Sequence, residues 1–167
     1  MKPIKRIFIF LLAAFAAIQF IRPDRNISAG VSPNHISKAF SVPDSVRQIL
    51  STSCNDCHSN NTQYPWYNSI QPIGWWLSNH IEEGKEHLNF DEFASYRLRK
   101  QFHKFEEITE MVKENEMPLS SYVLIHRGAK LSGEQKILIT GWSERCLEQM
   151  KSAYPIDSLV RKRENNH

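Results

Sequence analysis

Three side chains in the run Cys54-Asn55-Asp56-Cys57-His58 are of types and at a spacing that could do chemistry together. Two thiols three residues apart share one face of a helical turn, so both could reach the vinyl groups along one edge of a porphyrin and end as thioethers. An imidazole directly after the second thiol would then be held beneath the ring, where one nitrogen can coordinate iron. Two other readings of the pair exist. A zinc site wants further ligands, commonly a second cysteine pair, and the remaining cysteine, Cys146, stands alone. A redox dithiol of the thioredoxin kind wants a βαβ setting, and no segment alternates with the period of two that a strand requires. One covalent haem c is therefore the expected cofactor, with Cys54, Cys57 and His58 as its attachment and proximal residues.

A six-coordinate haem needs a second axial ligand. Of the four methionines, Met1 is terminal, Met111 falls in a helical pattern and Met150 on an apolar stripe. Met117 precedes Pro118, which disfavours helical geometry before it, so Met117 is expected on an extended segment; a thioether there favours ferrous iron and raises the potential. His80 and His126 are the alternative distal ligands, whereas His87 and His103 fit helix surfaces. Tyr64, Trp66 and Tyr67 lie in a polar, proline-containing loop, where they suit either the side of a flat apolar ring or the protein core. The Pro65 and Pro72 carbonyls are candidates to accept a hydrogen bond from the other ring nitrogen of His58.

The elements that must position these groups are all helical. A first helix is expected from near Pro43, with Ser41 or Asp44 as cap and Val46, Ile49, Leu50 and Ser53 on one face, running into the cysteine motif. A second fits Ile73 to Glu83, stopped by Gly84. A third, which the spacing allows to be broken, begins at Asn89 with Glu92 in capping-box register and carries Phe93 to Val112. The last begins at Ser132 with Gln135 completing a capping box, and displays Leu138, Trp142, Cys146 and Met150 at a spacing of four. This stripe accounts for Cys146 as an inert core thiol.

Lys2, Lys5 and Arg6 precede the apolar run Ile7 to Ile21, the pattern of an exported chain. Residues 1–21 are expected as a signal or membrane anchor with its basic end inside. Ala14-Phe15-Ala16 offers a cleavage pattern, but the apolar run continues past it, which favours an uncleaved anchor. Either way His58 is placed on the periplasmic side of the bacterial inner membrane. Removing those three basic residues from the net charge of +3 leaves 18 Lys and Arg against 18 Asp and Glu, so no nucleic-acid partner is expected. Residues 22–41 read as a polar linker, 42–152 as the haem domain and 153–167 as a polar basic tail.

Cys54-Asn-Asp-Cys-His-Ser-Asn-Asn-Thr, Tyr64-Pro-Trp-Tyr, Trp75-Trp-Leu-Ser-Asn-His-Ile, Leu88-Asn-Phe, Glu116-Met-Pro-Leu and Leu131-Ser together resemble the small bacterial haem-binding domain family, over about Val42 to Met150. The resemblance implies an all-α, class I cytochrome c-like domain with one haem, and carries Cys54, Cys57 and His58 over directly. The role of Met117 is carried over from cytochromes c generally. The long insertion holding the second and third helices departs from common cytochromes and could bring His80 near the distal face. Gly141 could let the closing helix cross the first one closely, as in similar cytochromes. The expected function is a membrane-tethered electron carrier serving redox partner proteins. The alternatives are a haem-based sensor or small peroxide-handling enzyme with an open distal site, for which His80 or Arg97 could serve as base or cation, and an assembly module whose haem serves stability.

Overall fold

A computed structural model describes residues 3–161. Among them there is no β-strand, and the all-α expectation holds. Eight helices follow in order: α1 (Pro3–Ile18), α2 (Asp44–Ser53), α3 (Asn55–His58), α4 (Ile73–His87), α5 (Leu98–Glu114), α6 (Ser120–Ile125), α7 (Gly133–Ala153) and α8 (Ile156–Leu159).

The core is built where α5 packs along α7. Phe105 is fully buried, with the rings of Phe40, Phe93 and Trp142 around it at centroid distances of 4.8, 5.0 and 5.6 Å. Burying each such ring contributes about 1.5–3 kcal/mol. The polar atoms that packing would strand are satisfied: the Trp142 indole donates to the Ser41 carbonyl at 3.0 Å and the Ser143 hydroxyl to the Phe105 carbonyl at 2.7 Å. On α2 the predicted face of Val46, Ile49, Leu50 and Ser53 is buried against this core. Neither expected cap operates, since Pro43 occupies the cap position without a side-chain bond.

The capping box of Ser132 and Gln135 opens α7 as expected. Its stripe differs by one residue: Trp142, Cys146 and Met150 are buried, whereas Leu138 is exposed and Ile139 takes the inward position. A spacing of four overshoots the 3.6-residue turn, so an i, i+3 step is needed to return to the same face. The third expected helix is broken. Asn89 does not start it but folds into a tight turn, its side-chain oxygen accepting from the Asp91 N–H; a single 3₁₀ turn, Phe93–Ser95, follows before α5 begins at Leu98. After α7, α8 tucks Leu159 into the core. Lys162 and Arg163, in the expected basic tail, lie outside the described residues.

Two glycines permit close crossings. A Cβ on Gly74 would sit 2.4 Å from the Asn68 carbonyl oxygen, and one on Gly84 would sit 2.6 Å from that of Cys57. Gly84 therefore does not stop its helix, which continues to His87; it lets α4 lie against the cysteine motif. Gly141, expected at such a crossing, meets only the tip of Arg145 at 3.5 Å.

Residues 7–18 of the apolar run fold within α1, none of whose residues is buried. Its 16 residues span about 24 Å at 1.5 Å per residue. No helix among the described residues is long and apolar enough to cross a membrane. Residues 22–41 run along the body: the Asn26 side chain donates to Ser59 and Thr62 and accepts from Lys85, and Ile27 bridges to Asn61.

Candidate haem site

The chain breaks from α2 into α3 at Cys54, whose φ of −129° departs from helical geometry. The Cys54 carbonyl then accepts from the N–H groups of both Cys57 and His58, at 3.2 and 3.0 Å. One tight turn thus presents Cys54, Cys57 and His58 to a single cavity of about 480 Å³, inside the roughly 300–1,000 Å³ of ligand pockets. Leu50, Ile108, Val112, Leu119 and Ile139 supply apolar walls.

His58 is held from behind. Its Nδ1 lies 2.9 Å from the carbonyl oxygens of both Gly84 and Leu88. Two acceptors fix the proton on Nδ1 and leave the Nε2 lone pair free for a metal. The carbonyls expected for this task, on Pro65 and Pro72, do not perform it; the C-terminal turn of α4 does, because Gly84 brings that turn into contact with Cys57. Burial lowers the His58 pKa, partly opposed by those two carbonyls, so the ring stays neutral.

The two thiols are free. Burial pushes the Cys54 thiol up to about 12, with Cys57 adding repulsion, and the Cys57 thiol up to about 11, with the Asp56 carboxylate adding repulsion. Both remain protonated at neutral pH in the folded chain.

Met117 lines the same cavity. Its placement follows from how α5 ends: Asn115 adopts a left-handed conformation at φ 65°, and the Met111 carbonyl accepts from the N–H groups of Glu116 and Met117 at 2.9 and 3.2 Å. The chain reverses there and delivers Met117 beside the final turn of α5. Met111 also faces the cavity, which its helical setting alone did not indicate.

The alternative distal ligands are placed differently. His80 lines the cavity, but it sits one turn before Gly84 on the helix that backs His58, with its Nδ1 2.9 Å from the Trp76 carbonyl oxygen. His126 is outside the cavity lining: its ring stacks on Tyr122 and its Nε2 is 3.2 Å from the Tyr67 hydroxyl. Arg97 precedes α5 and is also outside the lining. Tyr64, Trp66 and Tyr67 do not reach the cavity either; the Tyr64 hydroxyl accepts from the Asn26 N–H at 2.7 Å, and Trp66 is exposed. His103 lies on the surface beside Glu106 and Glu107, as expected, while exposed His87 contributes to the cavity rim.

Two pairings were invisible in the sequence. The Tyr122 hydroxyl donates to Asp56 Oδ2 at 2.7 Å, and the other Asp56 oxygen accepts from the Gln63 N–H at 2.9 Å. Asp56, a spacer in the cysteine motif, thereby fastens the segment that follows Met117. Burial and this bond raise the Tyr122 pKa, so its hydroxyl keeps its proton. Lys104 lines the cavity, nearly buried, in an ion pair with Glu107; its only sequence sign was its helical register with Ile108 and Met111.

Among the described residues no three His, Cys, Asp or Glu side chains gather as a metal-holding group. The arrangement fits a porphyrin: an apolar slot, two thiols on one turn, a neutral imidazole aimed inward and a thioether in the same cavity. The sequence model of the family described as Haem-binding domain matches residues 13–145. No curated protein and no solved structure matches the chain. The chain belongs to the haem-binding domain family.

Proposed function

We propose that this member of the haem-binding domain family fastens one haem covalently through Cys54 and Cys57 in a cytochrome c-like domain. Its role is a membrane-tethered electron carrier on the periplasmic side of the bacterial inner membrane, exchanging electrons with redox proteins. The observation that carries this reading is the cavity shared by both thiols, Met117 and a His58 ring whose outer nitrogen is engaged by two backbone carbonyls.

A bound haem supplies a one-electron iron couple. The residues of the chain do the rest. His58, its tautomer fixed by the carbonyls of Gly84 and Leu88, and Met117, in the same cavity, would hold the iron. Leu50, Ile108, Val112, Leu119 and Ile139 keep water from the slot, which holds the site in a low dielectric. The Asp56–Tyr122 bond keeps the Met117 segment against the cysteine turn. Protein ligands on both sides of the iron would suit electron transfer; the sensor and peroxide-handling readings require an open distal position with a base or cation, and of the two candidates Arg97 lies outside the cavity lining while His80 lines it from the helix that backs His58.

The chain, matured in a host competent for cytochrome c assembly, should keep haem on a denaturing gel, and Cys57→Ala should lose or weaken that stain. An unchanged stain would remove covalent attachment. Rapid binding of carbon monoxide by the reduced wild-type protein would favour an open distal site over the carrier.

A further inference from the structure

The join between α1 and the body is built of hydrogen bonds. The Gln19 side chain donates to the Gln71 carbonyl at 3.1 Å and accepts from the Gln71 N–H at 2.9 Å. The Trp75 indole donates to the Ile21 carbonyl at 2.8 Å. A reciprocal amide pair plus an indole bond ties residues 19–21, which follow α1, to Gln71 and the first turn of α4.

Around that join the surface is apolar and exposed. Phe20 is 88% exposed, Ile21 63%, Ile73 41% and Trp76 45%. Ile73 and Trp76 are three apart and share a face of α4. No charged side chain falls between Ile7 and Ile21, and Arg22 follows immediately. A protein groove covers one stripe of a helix, whereas residues 7–18 of α1 are apolar all round, which suits hydrocarbon.

We propose that these four side chains form a collar that sits in the interfacial layer of the membrane and docks the haem domain there in one orientation. The proposal rests on the membrane tether of the preceding section. Length supports it: the uncharged part of α1, residues 7–18, spans about 18 Å, short of the ~30 Å hydrocarbon core. A short helix is accommodated when flanking groups enter the bilayer surface. Tryptophan suits that layer, and Arg22 can extend to lipid phosphates. The consequence reaches the haem site, because α4 carries Ile73 and Trp76 of the collar in its first turns and Gly84 near its other end. The Trp76 and His80 rings are 4.3 Å apart, His80 lines the cavity, and Gly84, which holds His58, is about 12 Å from Trp76 along the helix axis. Docking the collar therefore fixes how the haem plane lies relative to the bilayer.

The test is polarised absorbance of the haem in full-length holoprotein reconstituted into oriented bilayers of phosphatidylcholine and phosphatidylglycerol. The wild type should be dichroic. The double variant Ile73→Asp/Trp76→Asp should lose the dichroism while remaining bound to the bilayer through α1 and keeping its haem spectrum, and Gln19→Ala should weaken it. Wild-type protein that binds the bilayer without dichroism overturns the docking and spares the tether; failure to bind overturns both. Dichroism retained by the double variant overturns the collar. So does cross-linking that finds the collar between two copies of the chain.

Discussion

Gly84 lies so close to Cys57 that a Cβ at position 84 would stand 2.6 Å from the Cys57 carbonyl oxygen, while the Gly84 carbonyl itself is 2.9 Å from His58 Nδ1. One residue without a side chain thus seats a helix on the cysteine turn and orients the imidazole beside it.

Gly84→Ala must push α4 away from backbone atoms that cannot yield cheaply. A loss of about 1–3 kcal/mol is expected from such overpacking, read as a lower urea midpoint, together with a changed haem spectrum as the His58 bonds lengthen. Gly141→Ala is the control. With only the end of Arg145 nearby, it should be neutral or stabilising by up to about 1 kcal/mol, since alanine is the better helix former.

Tyr122→Phe deletes the hydroxyl that donates to Asp56 Oδ2. Hydrogen bonds to charged groups contribute about 1.5–3 kcal/mol, and partial exposure of this pair puts the expected loss at or below the lower end of that range, about 1–1.5 kcal/mol. The ferric far-red band of a methionine-ligated haem should weaken in the variant with haem content unchanged. An unaltered band would separate Tyr122 from the placement of Met117.

Met117→Ala should abolish that far-red band, lower the midpoint potential and open the reduced iron to carbon monoxide, because the thioether favours the ferrous state. Met111→Ala tests the second methionine of the cavity. It should keep the band, and its loss would transfer the distal role to Met111.

Cys146 is a buried thiol raised from an ordinary 9.0 to about 12 by burial, partly offset by Arg145. The raised folded value means that its contribution to stability is complete below about pH 9 and is lost as pH rises toward 12. Cys146→Ala should flatten that alkaline loss relative to wild type in urea titrations. Native holoprotein should not be alkylated near pH 8, and after unfolding it should show one reactive thiol per chain, the other two being held as thioethers.

What the sequence determined was local. The spacing of Cys54, Cys57 and His58, the proline after Met117, the capping box at Ser132 and the period of α2 each rest on residues within a turn or two of one another, where chemistry and helix geometry suffice. Even there Leu138 was placed one residue off, because a spacing of four drifts against a 3.6-residue turn. Tertiary structure decided whatever joins distant segments. It put Gly84 and Leu88, rather than a nearby proline, behind His58; it paired Asp56 with Tyr122 and Gln19 with Gln71; it turned Lys104 and Met111 into the cavity and His126 out of it. Those outcomes depend on which helix faces meet, and that is fixed by the packing of Phe105 against Trp142 and by the close approach of Gly84 to Cys57; the spacing along the chain shows each apolar face but not its partner.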